Sequence, residues 1–176
     1  YFDEADAELF FGREAWVEKL VERVGVWKHG SVGEGLLPHP HTPSPFLAII
    51  GASGSGKSSL VRAGLIPALR REHPDWPIHV ITPTAQPLES LAISLTRDSE
   101  SVTAAETLIN DLKQSQRSLH LYVRRLIGSN SDRRLLLVVD QFEELFTACK
   151  DEAERKAFID NLMTAINSPS PDGAPR

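Results

Sequence analysis

The sequence predicts an α/β architecture, a parallel sheet flanked by helices. Three observations carry this expectation. Short, uninterrupted apolar runs at Phe46–Ile50 (FLAII) and Leu135–Val139 (LLLVV) have the character of strands buried on both faces. Stretches with apolar residues three and four apart alternate with such runs, as helices do around a parallel sheet. A glycine-rich loop, GASGSGKS, joins the first run to a helical stretch.

Taken in order, Ala5 to Val24 carries Trp16, Val17, Leu20, Val21 and Val24 at helical spacing with Glu and Lys between, an amphipathic helix. Gly30 to Pro45 is dense in Gly and Pro and reads as a surface insertion without regular structure. Phe46–Ile50 is the first strand. After the glycine-rich loop a helix carries Leu60, Val61, Leu65 and Leu69. Pro67 cannot donate to its ladder, which predicts a kink or break near Leu65. Ile78–Ile81 is a second strand, Leu88–Thr96 a helix, and Ala104–Ile127 two helices ending at Gly128. Leu135–Val139 is a strand ending at Asp140, and helices follow over Phe142–Cys149 and Glu152–Ile166. The expected organisation is a leading helical segment over 1–28, the insertion over 29–45, and one core over 46–176.

Composition narrows the function. At 176 residues and 41% hydrophobic content, the chain can bury one sizeable core. A formal net charge of -5 without a basic run argues against nucleic acid as a partner. The lone cysteine, Cys149, rules out an internal disulfide and fits a reducing compartment. No stretch reaches the roughly 18 apolar residues of a membrane span, and the acidic start YFDEADAELF is not a secretory signal. The expectation is a soluble cytoplasmic protein. The absence of an initiating Met and the loop-like end NSPSPDGAPR suggest a fragment of a longer chain.

The spacing Gly51, four residues, Gly56-Lys57-Ser58 is the P-loop pattern. Gly54 and Gly56 allow backbone conformations closed to other residues, so the N–H groups of Ala52, Ser53, Ser55 and their neighbours can turn towards phosphate oxygens. The helix starting near Lys57 brings its positive dipole end to the same point. Lys57 is suited to the outermost phosphates, and the Ser58 hydroxyl, with Ser59 beside it, to Mg²⁺. A chance match in a Gly/Ser loop would lack the strand before and the helix after. The fold class sharpens accordingly to a P-loop NTPase sheet.

Hydrolysis also needs a metal anchor and a group that positions water. LLLVVDQFEELF supplies candidates. Asp140, at a strand tip, is placed to hold Mg²⁺ through its water shell. Glu143 or Glu144 could orient or deprotonate the attacking water. Both could equally be first-turn glutamates favoured by the helix dipole.

Together these segments resemble the STAND class of signal-transduction ATPases, and within it the bacterial novel STAND branch, often fused to WD-type repeats. The likeness rests on LFFGRE (Leu9–Glu14), GASGSGKSSLVRAGLIPALR, VITPTAQPLESLAISL and LLVVDQFEELFT, in the family's order and spanning nearly the whole chain. The resemblance implies that Gly51 to Ser59 cradle the phosphates of ATP or ADP, that Asp140 serves Mg²⁺, and that Glu143 or Glu144 is catalytic. It puts Gly12 and Arg13 at the nucleotide's base end, although an ion pair with a neighbouring acid would also explain Arg13. It further implies a regulatory switch with protein partners through C-terminal repeats and a nucleotide-dependent oligomer. In this class a sensor strand inserts between the P-loop strand and the Asp140 strand. Nothing after Ile166 has that pattern, so the core is expected to stop short of it.

The same residues bear on other readings. A motor or loader ATPase would place its glutamate directly after Asp140, where this chain has Gln141, and would need an arginine finger from Arg124, Arg125, Arg133 or Arg134. Paired arginines more often form a solvated face. A small-molecule kinase would need a basic and aromatic lid that is not apparent. A GTPase would need an Asn-Lys-x-Asp motif, which is absent. A non-hydrolysing scaffold that keeps nucleotide as a structural ligand fits the same motifs. His29, His39 and His41 could suggest a metal, but Pro-rich loops rarely preorganise ligands.

Overall fold

Helix α1 (Glu14–Gly25) begins with Glu14 in its first turn and has Arg23 in its last, each charge opposing the nearby end of the helix dipole. The computed structural model describes residues 12–25, 46–101, 103–128 and 133–168. The chain divides into two units, Tyr1–Asp75 with Pro169–Arg176, and Trp76–Ser168. The Gly30–Pro45 insertion lies outside the described residues.

In the first unit, α1 buries Val21 and Val24 and packs against the helix that follows the P-loop. That helix has three consecutive parts: α2 (Lys57–Ser59), a π-helical stretch (Leu60–Leu65) and α3 (Ile66–Glu72). The kink or break expected near Leu65 takes the form of a π-helical stretch that ends there, not of a chain break. The backbone stays helical throughout, and one widened turn just ahead of Pro67 absorbs the irregularity, with Ile66 N–H donating to Val61 O. A π-turn re-pairs the carbonyls that an α-register would leave facing a proline ring without an N–H. Ile66 and Leu69 are fully buried along this helix, and Leu65 is buried beside them.

The strand expected at Phe46–Ile50 is not formed. The segment carries no ladder, Phe46 is 60% exposed and Ile50 91%. An apolar run records a preference for a buried sheet, but a strand exists only where a neighbour supplies hydrogen bonds. Among the described residues the two strands pair only with each other.

Those strands form the second unit's sheet. β1 (Ile78–Ile81) and β2 (Leu136–Val139) run parallel, with Ile78 opposite Leu136 and Ile81 opposite Val139. Leu136 N–H to Pro77 O (2.9 Å) and Asp140 N–H to Ile81 O (2.8 Å) continue the pairing at both ends. A parallel pair requires a long crossover, here α4 (Pro87–Thr96), α5 (Ala104–Gln114) and α6 (Ser118–Ile127). After β2 come α7 (Glu144–Thr147) and α8 (Glu152–Asn167). Asp151 caps α8, its Oδ1 accepting from Ala153 N (2.9 Å) and Glu154 N (3.2 Å). Leu88, Leu91, Leu112, Leu119, Leu145 and Phe158 centre the core.

Two expectations need adjustment in this unit. β2 is half-buried along its length rather than covered on both faces. The helix expected over Phe142–Cys149 contracts to Glu144–Thr147, because Gln141 takes a left-handed backbone (φ 53°) and the chain makes tight turns before entering the helix.

Candidate nucleotide-binding site

Lys57 closes the P-loop on itself. Its Nζ donates to Gly51 O at 2.8 Å and to Ala52 O at 2.9 Å, so the ammonium sits against the loop's first two carbonyls. Ser55 N–H donates back to Ala52 O (3.2 Å), and Leu60 N–H to Gly56 O (2.8 Å) starts the helix. Two glycines are dictated for different reasons. A Cβ on Gly51 would stand 3.1 Å from Ser55 Oγ and 3.6 Å from Lys57 Cδ, close enough that the Ser55 hydroxyl would have to give by a few tenths of an ångström. Gly56, at φ 83° and ψ 21°, occupies the left-handed region and turns the chain into α2. Gly54 shares that backbone region; Ser53 is exposed in the loop, Ser58 is half-buried and Ser59 is buried.

The strand-tip acid belongs to the second unit. Asp140 follows β2 directly and is tied to β1 through its backbone N–H. The left-handed Gln141 then reverses the chain, its carbonyl accepting Glu144 N–H at 2.9 Å. Glu143 is exposed, and its carbonyl accepts Phe146 N–H (3.1 Å) and Thr147 N–H (3.3 Å). Glu144 is half-buried beside the fully buried Leu145, which anchors α7 in the core.

A family model described as Novel STAND NTPase 1 matches residues 1–172. The chain belongs to that family. No curated protein and no solved structure matches it.

Membership places this novel STAND domain in a family of nucleotide-binding NTPases. Ser58 and Asp140 offer a hydroxyl and a carboxylate, the hard oxygen donors Mg²⁺ takes, and both are half-buried. By donor type, each of these residues suits the metal. Among the described residues no group of three or more His, Cys, Asp and Glu side chains could hold a metal ion by itself. His29, His39 and His41 lie outside the described residues. No described helix is long and apolar enough to cross a membrane.

The assigned residues fall in two units: Gly12, Arg13 and Gly51 to Ser59 in the first, Asp140, Glu143 and Glu144 in the second. Within the first, the structure brings Arg13 to the P-loop. Nη2, Cζ and Nη1 of Arg13 stand 3.6, 3.7 and 3.7 Å from where a Gly56 Cβ would be. Arg13 also opens α1, its carbonyl accepting Trp16 N–H (3.0 Å) and Val17 N–H (3.1 Å). The neighbouring acid does not pair with it. Glu14 Oε1 accepts Gly12 N–H at 3.0 Å, and the backbone N–H groups of Glu14 itself and then Gly12 hold that carboxyl below its usual range. Gly12 takes φ 84° at this turn.

Two features of the novel STAND domain escaped sequence reasoning. Gln141 is not a residue type that advertises a left-handed backbone, and no spacing signals it. The approach of Arg13 to Gly56 depends on how α1 packs, which periodicity predicts only as a buried face. Of the four arginines that could have served a motor, Arg133 Nη1 donates to Leu126 O (3.4 Å) and Arg134 lies 5.8 Å over the Trp76 ring. Arg124 and Arg125 are exposed in the last turn of α6, where they complement its dipole.

Proposed function

We propose that this novel STAND domain binds ATP and ADP with Mg²⁺ and serves as the regulatory switch of a larger cytoplasmic signalling protein. The observation that carries the reading is the closed P-loop. Lys57 is held by two neutral carbonyls of the loop it belongs to, and charged phosphate oxygens are stronger partners for an ammonium than carbonyls are. Nucleotide therefore draws Lys57 out of an arrangement already built around it. The N–H groups following Gly51 and the start of α2 add donors at the same place.

In this reading Ser58 and Asp140 hold Mg²⁺, which supplies charge neutralisation at the phosphates. Glu143 or Glu144 orients water. ADP retained at rest and exchanged for ATP selects between two conformations, and hydrolysis resets the choice. Gln141 stands where a motor ATPase keeps its glutamate, which favours a switch over a motor.

Denaturing the purified full-length protein and identifying the released nucleotide by chromatography tests this. ADP near one per chain is expected. An empty site with weak, freely turning-over ATP overturns the latched switch in favour of a motor or housekeeping ATPase. Lys57→Ala is expected to abolish nucleotide binding, and Asp140→Ala to remove mainly its Mg²⁺ dependence. A Lys57→Ala protein that binds as well as wild type sinks the P-loop assignment.

A further inference from the structure

We propose that His79 makes the seating of α4 on β1 sensitive to protons: with a neutral ring the helix is held on the strand, and acid, by charging the ring, loosens that contact. The device lies wholly within the second unit and needs no nucleotide.

His79 is the second residue of β1 and is 5% exposed. Its ring is on the helix-covered face of the sheet, where Nδ1 meets Ser94 Oγ of α4 at 3.3 Å. Ile81, two residues on and therefore on the same face, joins the core with Leu88, Leu91 and Ala92 of α4. An aliphatic side chain would fill this position with no polar atom to satisfy; His79 puts a titratable ring there instead.

The neutral ring suits the place in either tautomer, because Nδ1 can accept from the Ser94 hydroxyl or donate to it. The charged ring can only donate, and it brings a formal charge into a site almost closed to water. β2 and α4 are the elements packed most closely on β1. β2 has no titratable residue over Leu136–Val139, and Leu137 stands opposite His79. Arg134 precedes β2, over the Trp76 ring, and Asp140 follows it. α4 carries only Glu89, exposed in its first turn, whereas Ser94 is in its last. Arg97 and Asp98, both exposed at and just beyond the end of α4, bear on the ring with opposite signs. Burial, the largest influence, holds the imidazole below its ordinary value; Arg97 adds to this, while the bond to Ser94 and the charge of Asp98 act against it.

Because the folded chain disfavours the charged ring, the unfolded chain takes up the proton first. Stability from this contact is therefore complete above about pH 6.5 and is lost as pH falls from there through the ring's own lowered value. Two further bonds connect the contact to its surroundings. Tyr122 OH of α6 donates to Leu95 O, the residue after Ser94, at 2.9 Å, and Ile81 O of β1 accepts the Asp140 N–H.

Hydrogen exchange of the peptides covering 78–96, corrected for the intrinsic pH dependence of exchange, tests this in the full chain at about pH 7.5 and about pH 5.5. Wild type is expected to lose about threefold to tenfold more protection between the two than His79→Gln, tenfold being about the ceiling for one proton bound one pH unit below 6.5. Glutamine stays neutral throughout and can still bond Ser94. Each protein is compared with itself, so a lower starting stability in the variant does not affect the comparison, and the other histidines are common to both. A wild type that loses no more protection than the variant overturns the proposal. A second measurement needs no variant: the imidazole C–H resonances of His79 in wild type are expected to titrate below about pH 6.5. A midpoint at or above that value overturns the proposal as well.

Discussion

Gln141 is the one described residue other than glycine with a positive φ, 53°, and it stands between the strand-tip Asp140 and the two glutamates. An L-residue in this region crowds its Cβ against the following carbonyl at a cost of about 1–2 kcal/mol. The strain is local, since the Gln141 side chain is exposed. What it achieves is a reversal in one residue: β2 ends, the carbonyl of Gln141 accepts Glu144 N–H, and α7 begins. Gln141→Gly relieves the crowding but adds flexibility to the unfolded chain, a partial offset. The expected outcome is a gain of about 0.5–1 kcal/mol in denaturant unfolding. Gln141→Val, β-branched and poorly suited to this backbone, is expected to lose more than about 1 kcal/mol. A glycine variant less stable than wild type would show that the Gln141 side chain, not the backbone, holds this turn.

At the scale of elements, one polar side chain ties three helices together. Asn161, on α8, is fully buried. Its Oδ1 accepts Leu119 N–H of α6 at 3.1 Å, and its Nδ2 donates to Leu112 O of α5 at 2.9 Å and to Ala157 O within α8 at 2.9 Å. The Leu119 N–H is one of the orphan donors at the start of α6, so Asn161 acts as a cap supplied from another helix. Asn161→Ala strands a buried donor and acceptor and leaves a void, each group costing about 1–3 kcal/mol. A loss of roughly 3–4 kcal/mol is expected in chemical denaturation of the full chain. A change under about 1 kcal/mol would mean that water replaces the clamp.

The same element explains what the sequence could and could not tell. The helices over Pro87–Thr96 and Glu152–Asn167, the outer ends of the helix pair from Ala104 to Ile127 and the strand at Ile78–Ile81 stand within a residue or two of expectation, because apolar period and end signals such as Gly128 are local. Asn161 reads as an ordinary polar position, since its role depends on two helices that precede it by dozens of residues. Phe46–Ile50 fails for a related reason: its composition fits a strand, but pairing is not a property of the segment alone. The candidate site follows the same division. The P-loop spacing and the strand-tip Asp140 are visible as patterns, whereas the approach of Arg13 to Gly56 and the turn at Gln141 are consequences of packing and backbone geometry.

For the whole molecule, the family match runs over residues 1–172 and so takes in both units, just as the residues assigned to nucleotide chemistry do. Turnover is therefore tested on a chain that holds both units, with binding and chemistry read separately. Glu143 is exposed and its carbonyl caps the start of α7; Glu144 is half-buried and forms the helix's first turn. Successive residues at a helix start point in different directions, so under the proposed mechanism one of them, not both, orients the water. Replacing each by Gln preserves size and removes the base. One of Glu143→Gln and Glu144→Gln is expected to lower ATP turnover by about 10²–10⁴-fold, the usual contribution of a positioned general base, while ATP and ADP affinities stay near wild type. The other is expected to behave as an ordinary first-turn glutamate, with turnover unchanged and a small loss of stability from the helix dipole, on the order of 0.3–1 kcal/mol. Equal, undiminished turnover in both variants would remove the glutamates from the chemistry. The site would then stand as a P-loop that holds nucleotide without a base beside Asp140, which is the behaviour of a binding scaffold.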